Sequence, residues 1–301
     1  MPIVPALPPH QIPIVSHFDY VTVDAERRRV YAAHSGSNSL TVVNADSGVV
    51  LGQVETGSVH GVAVDELTGD VFTGDGNSGT VSEVDPTKMT VANSIDIGHP
   101  IDAIAYDPKT GRIFADEDSG TRVFVVDARS FKLVGTVTIP GHDLEYLAVD
   151  PDRPILYQNI PDHEEYVEID TQSLAIVKVV QTPELTKNHP LQFDAQYREV
   201  VVGGKNGVLS VYSADGAKVG QTTMPPGVDQ CDLDQGTHVL ACAGTGKLWT
   251  VKIENGEAPR LMSQIDTGHP IHTVAIDPKT NRIWTVWAGS DGDFVQAFEE
   301  R

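Results

Sequence analysis

Two cysteines in 301 residues cannot staple a disulfide scaffold. Basic residues are also scarce: 21 Lys and Arg stand against 42 Asp and Glu, a formal net charge of −21. That sign disfavours nucleic acid and anionic membrane surfaces, which carry the same charge. No run of eighteen apolar residues occurs, so nothing reads as a membrane span. The opening stretch, MPIVPALPPHQIPIV, has no basic start and too many prolines for a signal helix. On these grounds the chain is expected to be cytoplasmic, or secreted if a leader was removed before the numbering begins. GxSxG, P-loop, Rossmann, HExxH and CxxC signatures are all missing, and NGVL at 206–209 and GTGKLW at 244–249 read as hairpin turns rather than phosphate loops. What is present is a hydrophobic fraction of 40% with 21% charged residues, enough for an ordered core.

The chain repeats itself. Residues 95–114 (IDIGHPIDAIAYDPKTGRIF) and 265–284 (IDTGHPIHTVAIDPKTNRIW) agree at thirteen of twenty positions. The aspartate of this unit recurs as Asp24, Asp65, Asp107, Asp150, Asp194, Asp234 and Asp277, at steps of 40 to 44 residues. Each is followed six residues later by an apolar residue, from Val30 to Ile283. Within a unit the pattern is short and period-2: DYVTVD, RVYAA, SLTVVN and VVLGQVE in the first, separated by turn residues. Four short strands repeated seven times predict an all-β fold, a seven-bladed β-propeller. The seventh unit runs out after FVQAFEE, and the spare strand near Ile12–Val15 is expected to close the last blade and remove a sheet edge. The domain is thus read as 11–301, with residues 1–10 as an extended Pro-rich arm. A closed ring of this kind is expected to be a monomer.

The phrases YAAHSGSNSLTVVNADSGVV (31–50) and GSVHGVAVDELTG (57–69) resemble the repeat of the YVTN family of seven-bladed propellers. The resemblance runs through nearly the whole chain and implies the same architecture. It implies no single activity, since that family includes binding proteins, lactonase-like enzymes and surface proteins. The motif itself departs from the family pattern, with Ala-Ala-His at 32–34, Phe-Thr-Gly at 72–74 and Trp-Thr-Val at 284–286.

One column of the repeat stands apart. Five residues before each repeat aspartate lie Asp19, His60, Asp102, Glu145, His189, Asp229 and His272. All seven are metal-ligand types, which at this composition has a chance on the order of 10⁻⁵ for one column, or roughly 10⁻⁴ over about forty columns of the repeat. In a propeller the first strand of each blade lines the central channel, so these side chains converge. Carboxylates gathered there repel unless a cation or a proton compensates them. A solvated polar ring is the plain alternative. The sharper expectation is one divalent metal ion (Zn, Fe, Mn, Ni or Cu) held by His60, His189 and His272, with Glu145 as a fourth ligand or a general base. Asp19, Asp102 and Asp229 would then accept imidazole N–H bonds and fix the tautomers.

Eight residues before the aspartate, His99, His142 and His269 sit in GHP or GHD turns. With His17 they are candidates for a substrate rim, though turn structure explains them as well. Tyr20 and Tyr146, next to Asp19 and Glu145, read as packing residues and weaker general-base candidates. Residues 158–166 and 183–188 are the irregular stretches expected near the mouth. Cys231 and Cys242 fall nearly opposite each other on a hairpin; buried free thiols are the favoured reading, with a cross-strand bond the alternative.

The functional expectation is a metal-dependent enzyme acting as a Lewis acid on an oxygen-containing small molecule, leaning to lyase chemistry. Lactone or ester hydrolysis, oxidoreduction and a non-catalytic binding scaffold are the alternatives.

Overall fold

The computed structural model describes residues 1–301 as an all-β ring of seven antiparallel sheets. Its only helical element is the single 3-10 turn Ser35–Ser37. Blade 1 runs through Val21–Asp24, Arg29–His34, Ser39–Asn44 and Val50–Glu55, and blades 2 to 6 repeat this order of four strands. Blade 7 has the inner strand Ala275–Asp277 and the long strands Arg282–Gly289 and Gly292–Glu300. No helix is long and apolar enough to cross a membrane.

Seven buried apolar clusters lie between the blades, one at each junction. At the junction of blades 1 and 7, for example, Val30, Ala32 and Val43 meet Trp284, Val286 and Val295. The alternation along each strand explains this: every blade buries both faces, one against each neighbour.

The N-terminal segment does close blade 7, but earlier than the sequence pattern suggests. Ile3–Pro5 pairs with Phe298–Glu300, and His10–Ile12 pairs with Asp293–Val295. The arm at 1–10 is therefore part of the blade rather than a free extension. Proline tolerates this position because an outer edge strand needs donors on one side only. Beyond Ile12 the strand ends: Pro13 has no N–H, and Ile14 takes a positive φ of 69° and is exposed. The seam is also tied by Asp293, which accepts the Ser16 N–H at 2.7 Å and pairs with His34 Nε2 at 2.9 Å.

All seven repeat aspartates are buried. Each closes the turn after its inner strand. Asp150 Oδ1, for instance, accepts the N–H of Asp152 at 2.9 Å and of Arg153 at 3.2 Å. Four also take a donor from the next blade round: Thr171 on Asp107, Arg198 on Asp150, His238 on Asp194 and Arg28 on Asp277. The 42-residue period is thus a period of turn caps that also tie blade to blade.

Cys231 and Cys242 form a disulfide, not the free thiols that sequence reasoning favoured. They are direct partners in the register of adjacent antiparallel strands, with Cα atoms 4.0 Å apart. That spacing belongs to the closer, non-hydrogen-bonded class of cross-strand pair, where side chains approach each other.

Asp150→Ala removes the turn cap and leaves the Arg198 fork without its carboxylate. We expect a loss of about 3 kcal/mol in urea unfolding, and Asp150→Asn about half that, since it keeps the cap. Thiol titration in denaturant is expected to find no free thiol before reduction and two after it.

Candidate functional site

The ring column converges at one mouth of the channel, and the way each strand is built explains how. In blades 2 to 5 the pairing of the inner strand slips at the ring position: between Val59 and Val62, Ile101 and Ile104, Glu145 and Leu147, and Asn188 and Leu191. Such bulges re-aim a side chain, and here they mark His60, Asp102, Glu145–Tyr146 and His189. In blades 1, 6 and 7 the ring residues Asp19, Asp229 and His272 precede the inner strand, and the N–H groups of Asp19 and Asp229 are already held by the Ala33 and Ala243 carbonyls of the next strand. Gly76 lies against the His60 imidazole, so close that any Cβ would displace the ring.

Round the axis, carboxylate and imidazole alternate in two arcs. In the first, His60 Nδ1 lies 3.3 Å from both Asp19 Oδ2 and Asp102 Oδ1. The ligand atoms of Asp19, His60 and Asp102 all fall within 4.8 Å of one another, the only such group of three in the protein. In the second, His189 Nε2 is 3.1 Å from Glu145 Oε2 and 3.6 Å from Asp229 Oδ1, and His272 Nδ1 is 2.9 Å from Asp229 Oδ2. Lys205 adds its ammonium to Asp229. No ion pair joins His272 to Asp19, so the ring is open there.

The ligand nitrogens of His60, His189 and His272 therefore do not form the three-histidine group expected from the sequence, since only Asp19, His60 and Asp102 bring ligand atoms within 4.8 Å of one another. His60 is in one arc, His189 and His272 in the other, each drawn to a flanking carboxylate. Glu145 stands beside His189, and the three aspartates Asp19, Asp102 and Asp229 all contact imidazole nitrogen.

Electrostatics follow from the crowding. Burial, then the charge of Asp102, pushes the Asp19 carboxyl up to about 7. The hydrogen bond to Asp102 holds His60 above its ordinary value despite the cost of burial. Burial raises Glu145 against the pull of His189. Burial alone would lower His189, but the charge and hydrogen bond of Glu145 outweigh it and hold it up. Asp229 goes the other way: burial is overcome by the His272 hydrogen bond and the charges of His189 and Lys205, leaving it far below the usual carboxylate range. Beneath the first arc, Asp116 is fully buried and accepts the Ala103 N–H at 2.6 Å and the Gln158 amide at 3.2 Å; burial pushes it well up.

Tyr20 and Tyr146 come from blades on opposite sides of the ring, yet their ring centroids are 5.6 Å apart. They meet across the axis and form a floor. The Tyr146 hydroxyl donates to the Cys231 carbonyl at 2.6 Å, and burial pushes both phenols up, so neither gives up its proton readily. The Tyr20 hydroxyl is buried without a hydrogen-bond partner.

Above this floor lies a cavity of about 540 Å³, within the range of small-molecule sites. Seven carboxylates, two lysines and two histidines line it, with only two apolar residues. Both irregular stretches contribute: Pro161 and Asp162 from one, Lys187 and Asn188 from the other. The rim histidines are scattered. His17 stacks on His272 with centroids 5.8 Å apart, and His269 stacks on Trp287 at 4.3 Å beside a shallower pocket that His272 also lines. His99 pairs with Glu117 at 3.2 Å and stacks on Phe124, while His142 is exposed in a turn whose N–H rests on Asp162.

Sequence reasoning missed Lys205 and Asp118. A second column carried the signal. Eleven residues after each repeat aspartate stand Ser35, Gly76, Asp118, Pro161, Lys205, Thr245 and Ala288, of which Asp118, Pro161 and Lys205 line the cavity.

No family model matches the sequence, and no curated protein matches it. Solved structures do resemble the fold. A chain of the hydrazine synthase of Kuenenia stuttgartiensis superposes with a TM-score of 0.80 at 12% identity, over 94% of this chain and 97% of that one. A chain in a crystal structure of the mitotic checkpoint complex gives 0.82 at 16%, over 98% and 92%. One belongs to an enzyme and the other to a checkpoint assembly, and at these identities the likeness is one of fold.

The raised groups fix the sign of a pH dependence. Asp19 (about 7) and Asp232 (about 6, raised by burial) keep protons in the folded chain that the unfolded chain has already lost. Their stabilising share is present below about pH 4 and lost as pH rises through 6 to 7. His60 and His189, also raised, act in the same direction. Asp229 acts only at lower pH, below its unfolded value. In chelator, unfolding free energy is expected to fall from pH 5 to pH 8, by at most about 1.4 kcal/mol per pH unit for each proton, and Asp19→Asn to flatten the slope.

Proposed function

We propose that the protein is a metal-dependent enzyme acting on an oxygen-containing small molecule at this mouth. The observation that carries the reading is the convergence of Asp19, His60 and Asp102 at the edge of a small-molecule cavity. Two carboxylates and one imidazole suit Mn, Fe or Zn, and three protein donors leave positions open for substrate. The donor set fits electrostatically as well, since a cation offsets the burial and the Asp102 repulsion that together hold the Asp19 carboxyl near 7.

A divalent cation bound there supplies Lewis acidity to a substrate oxygen. Asp19, His60 and Asp102 fix where that oxygen lies. Across the cavity, Glu145 and His189 share a 3.1 Å contact and are both held above their ordinary values, a pair suited to taking a proton from one atom and returning it to another. Tyr20 and Tyr146 close the channel beneath, so substrate enters and product leaves from one side. Elimination begun by proton abstraction uses all of these parts. Hydrolysis is the second reading, favoured by a three-donor centre with room for water.

We also place the chain with the YVTN-repeat propellers, on the repeat phrases at 31–50 and 57–69. In place of a cytoplasmic setting we propose an oxidising compartment, because a buried structural disulfide persists there and is rare in reducing ones.

Elemental analysis of protein purified without chelator is expected to find about one divalent ion per chain. His60→Ala and Asp102→Ala lose it. His189→Ala keeps it and, once a substrate is in hand, lowers turnover by roughly 10²–10⁴-fold. A chain that binds no divalent ion at pH 8 sinks the reading. Label from ¹⁸O-water in the product marks hydrolysis, and an unsaturated product without it marks elimination.

A further inference from the structure

The two arcs of the ring are chemically alike but differently compensated. Each contains a histidine between two carboxylates: Asp19–His60–Asp102 in the first, Glu145–His189–Asp229 in the second. By donor type either arc suits a divalent ion. The first arc has no Lys or Arg among its ion-pair partners. The second already holds a cation, the Lys205 ammonium on Asp229 Oδ1, the same oxygen that faces His189 Nε2 at 3.6 Å.

Lys205 is held there by its backbone. It lies one residue beyond the strand Glu199–Gly204. Its N–H donates to the Thr186 carbonyl at 2.9 Å, and its own carbonyl accepts the Gly227 N–H at 2.8 Å. The residue is thus clamped between the segments leading into blades 5 and 6, which supply His189 and Asp229. The corresponding residues of the other blades are Ser35, Gly76, Asp118, Pro161, Thr245 and Ala288, so this is the one blade that sends a cation from that position.

We propose that Lys205 is the built-in cation of the second arc, and that it restricts the ring to a single divalent ion, bound in the first. An ammonium and a divalent ion a few ångströms apart repel, and both would need the same Asp229 oxygen. The consequence is functional. With Lys205 in place, Glu145 and His189 are not metal ligands and stay free to exchange a proton with substrate. Without it, Glu145, His189 and Asp229 become a second metal site and the proton-transfer pair is consumed.

This inference rests on the metal-dependent reading above, and the test separates the two. Folded wild-type protein, Lys205→Met, Lys205→Gln and Lys205→Arg are dialysed to equilibrium against Mn²⁺ at pH 8, with free Mn²⁺ read by electron paramagnetic resonance. Expected occupancies are about one ion for wild type and Lys205→Arg, and about two for Lys205→Met and Lys205→Gln, returning to about one when Glu145→Gln is added. One ion in wild type and still one in both neutral variants overturns the role of Lys205 and leaves the metal reading standing. Two ions in wild type overturn it as well. No ion in any protein removes the metal reading itself, and this inference with it.

Discussion

Seven inner strands converge on one axis, and whatever stands at the ring position is forced into company with its neighbours. Here four of the seven are carboxylates, and they cannot all be charged, partly buried and unpaired. Every feature of the mouth answers that constraint. Imidazoles are interleaved with the acids, so that each histidine of the ring has a carboxylate on at least one side. Lys205 is brought in from a turn to neutralise Asp229. Asp19 retains its proton to about pH 7. The first arc is the part of the ring whose compensation comes from protons alone, and a proton can be exchanged for a metal ion.

The repeat was legible because its chemistry is local. A buried aspartate that caps a turn needs backbone N–H groups two and three residues on, and that requirement imposes the same residue at the same place in every blade. The ring column was legible for a related reason: side chains at equivalent positions of a closed ring must meet, so a column of ligand types predicts a cluster. What stayed hidden depends on register and on loops. The bulges at His60, Asp102, Tyr146 and His189 decide the aim of each side chain and leave no mark in composition. The compensation of the second arc depends on Lys205, which lies sixteen residues from His189 in a turn beyond the next strand. Cys231 and Cys242 were correctly placed opposite each other, yet bonding depends on which class of cross-strand pair they occupy, and a sequence does not show that. The closing strand was read a few residues late because Ile12–Val15 carries the apolar pattern while Pro13 and the turn at Ile14 end the pairing.

The inner strand separates stability from chemistry along its length. Each ring residue lies five positions before its repeat aspartate, so the two columns sit at opposite ends of the inner segment of each blade. At the far end the carboxylates are buried but fully served. Asp150, for example, has turn N–H groups, Arg153 and Arg198, while Asp194 has His238 from the next blade. At the mouth the same residue types are left short. The Tyr20 hydroxyl and His189 Nδ1 are buried without partners, Asp19 shares one imidazole with Asp102, and burial works against Glu145. A chain that satisfies acids this completely at one end of a strand has the means to do so at the other. That contrast, between acids fully served at one end of the strand and two aspartates competing for one imidazole at the other, is the physical argument behind the proposed ligand at the mouth.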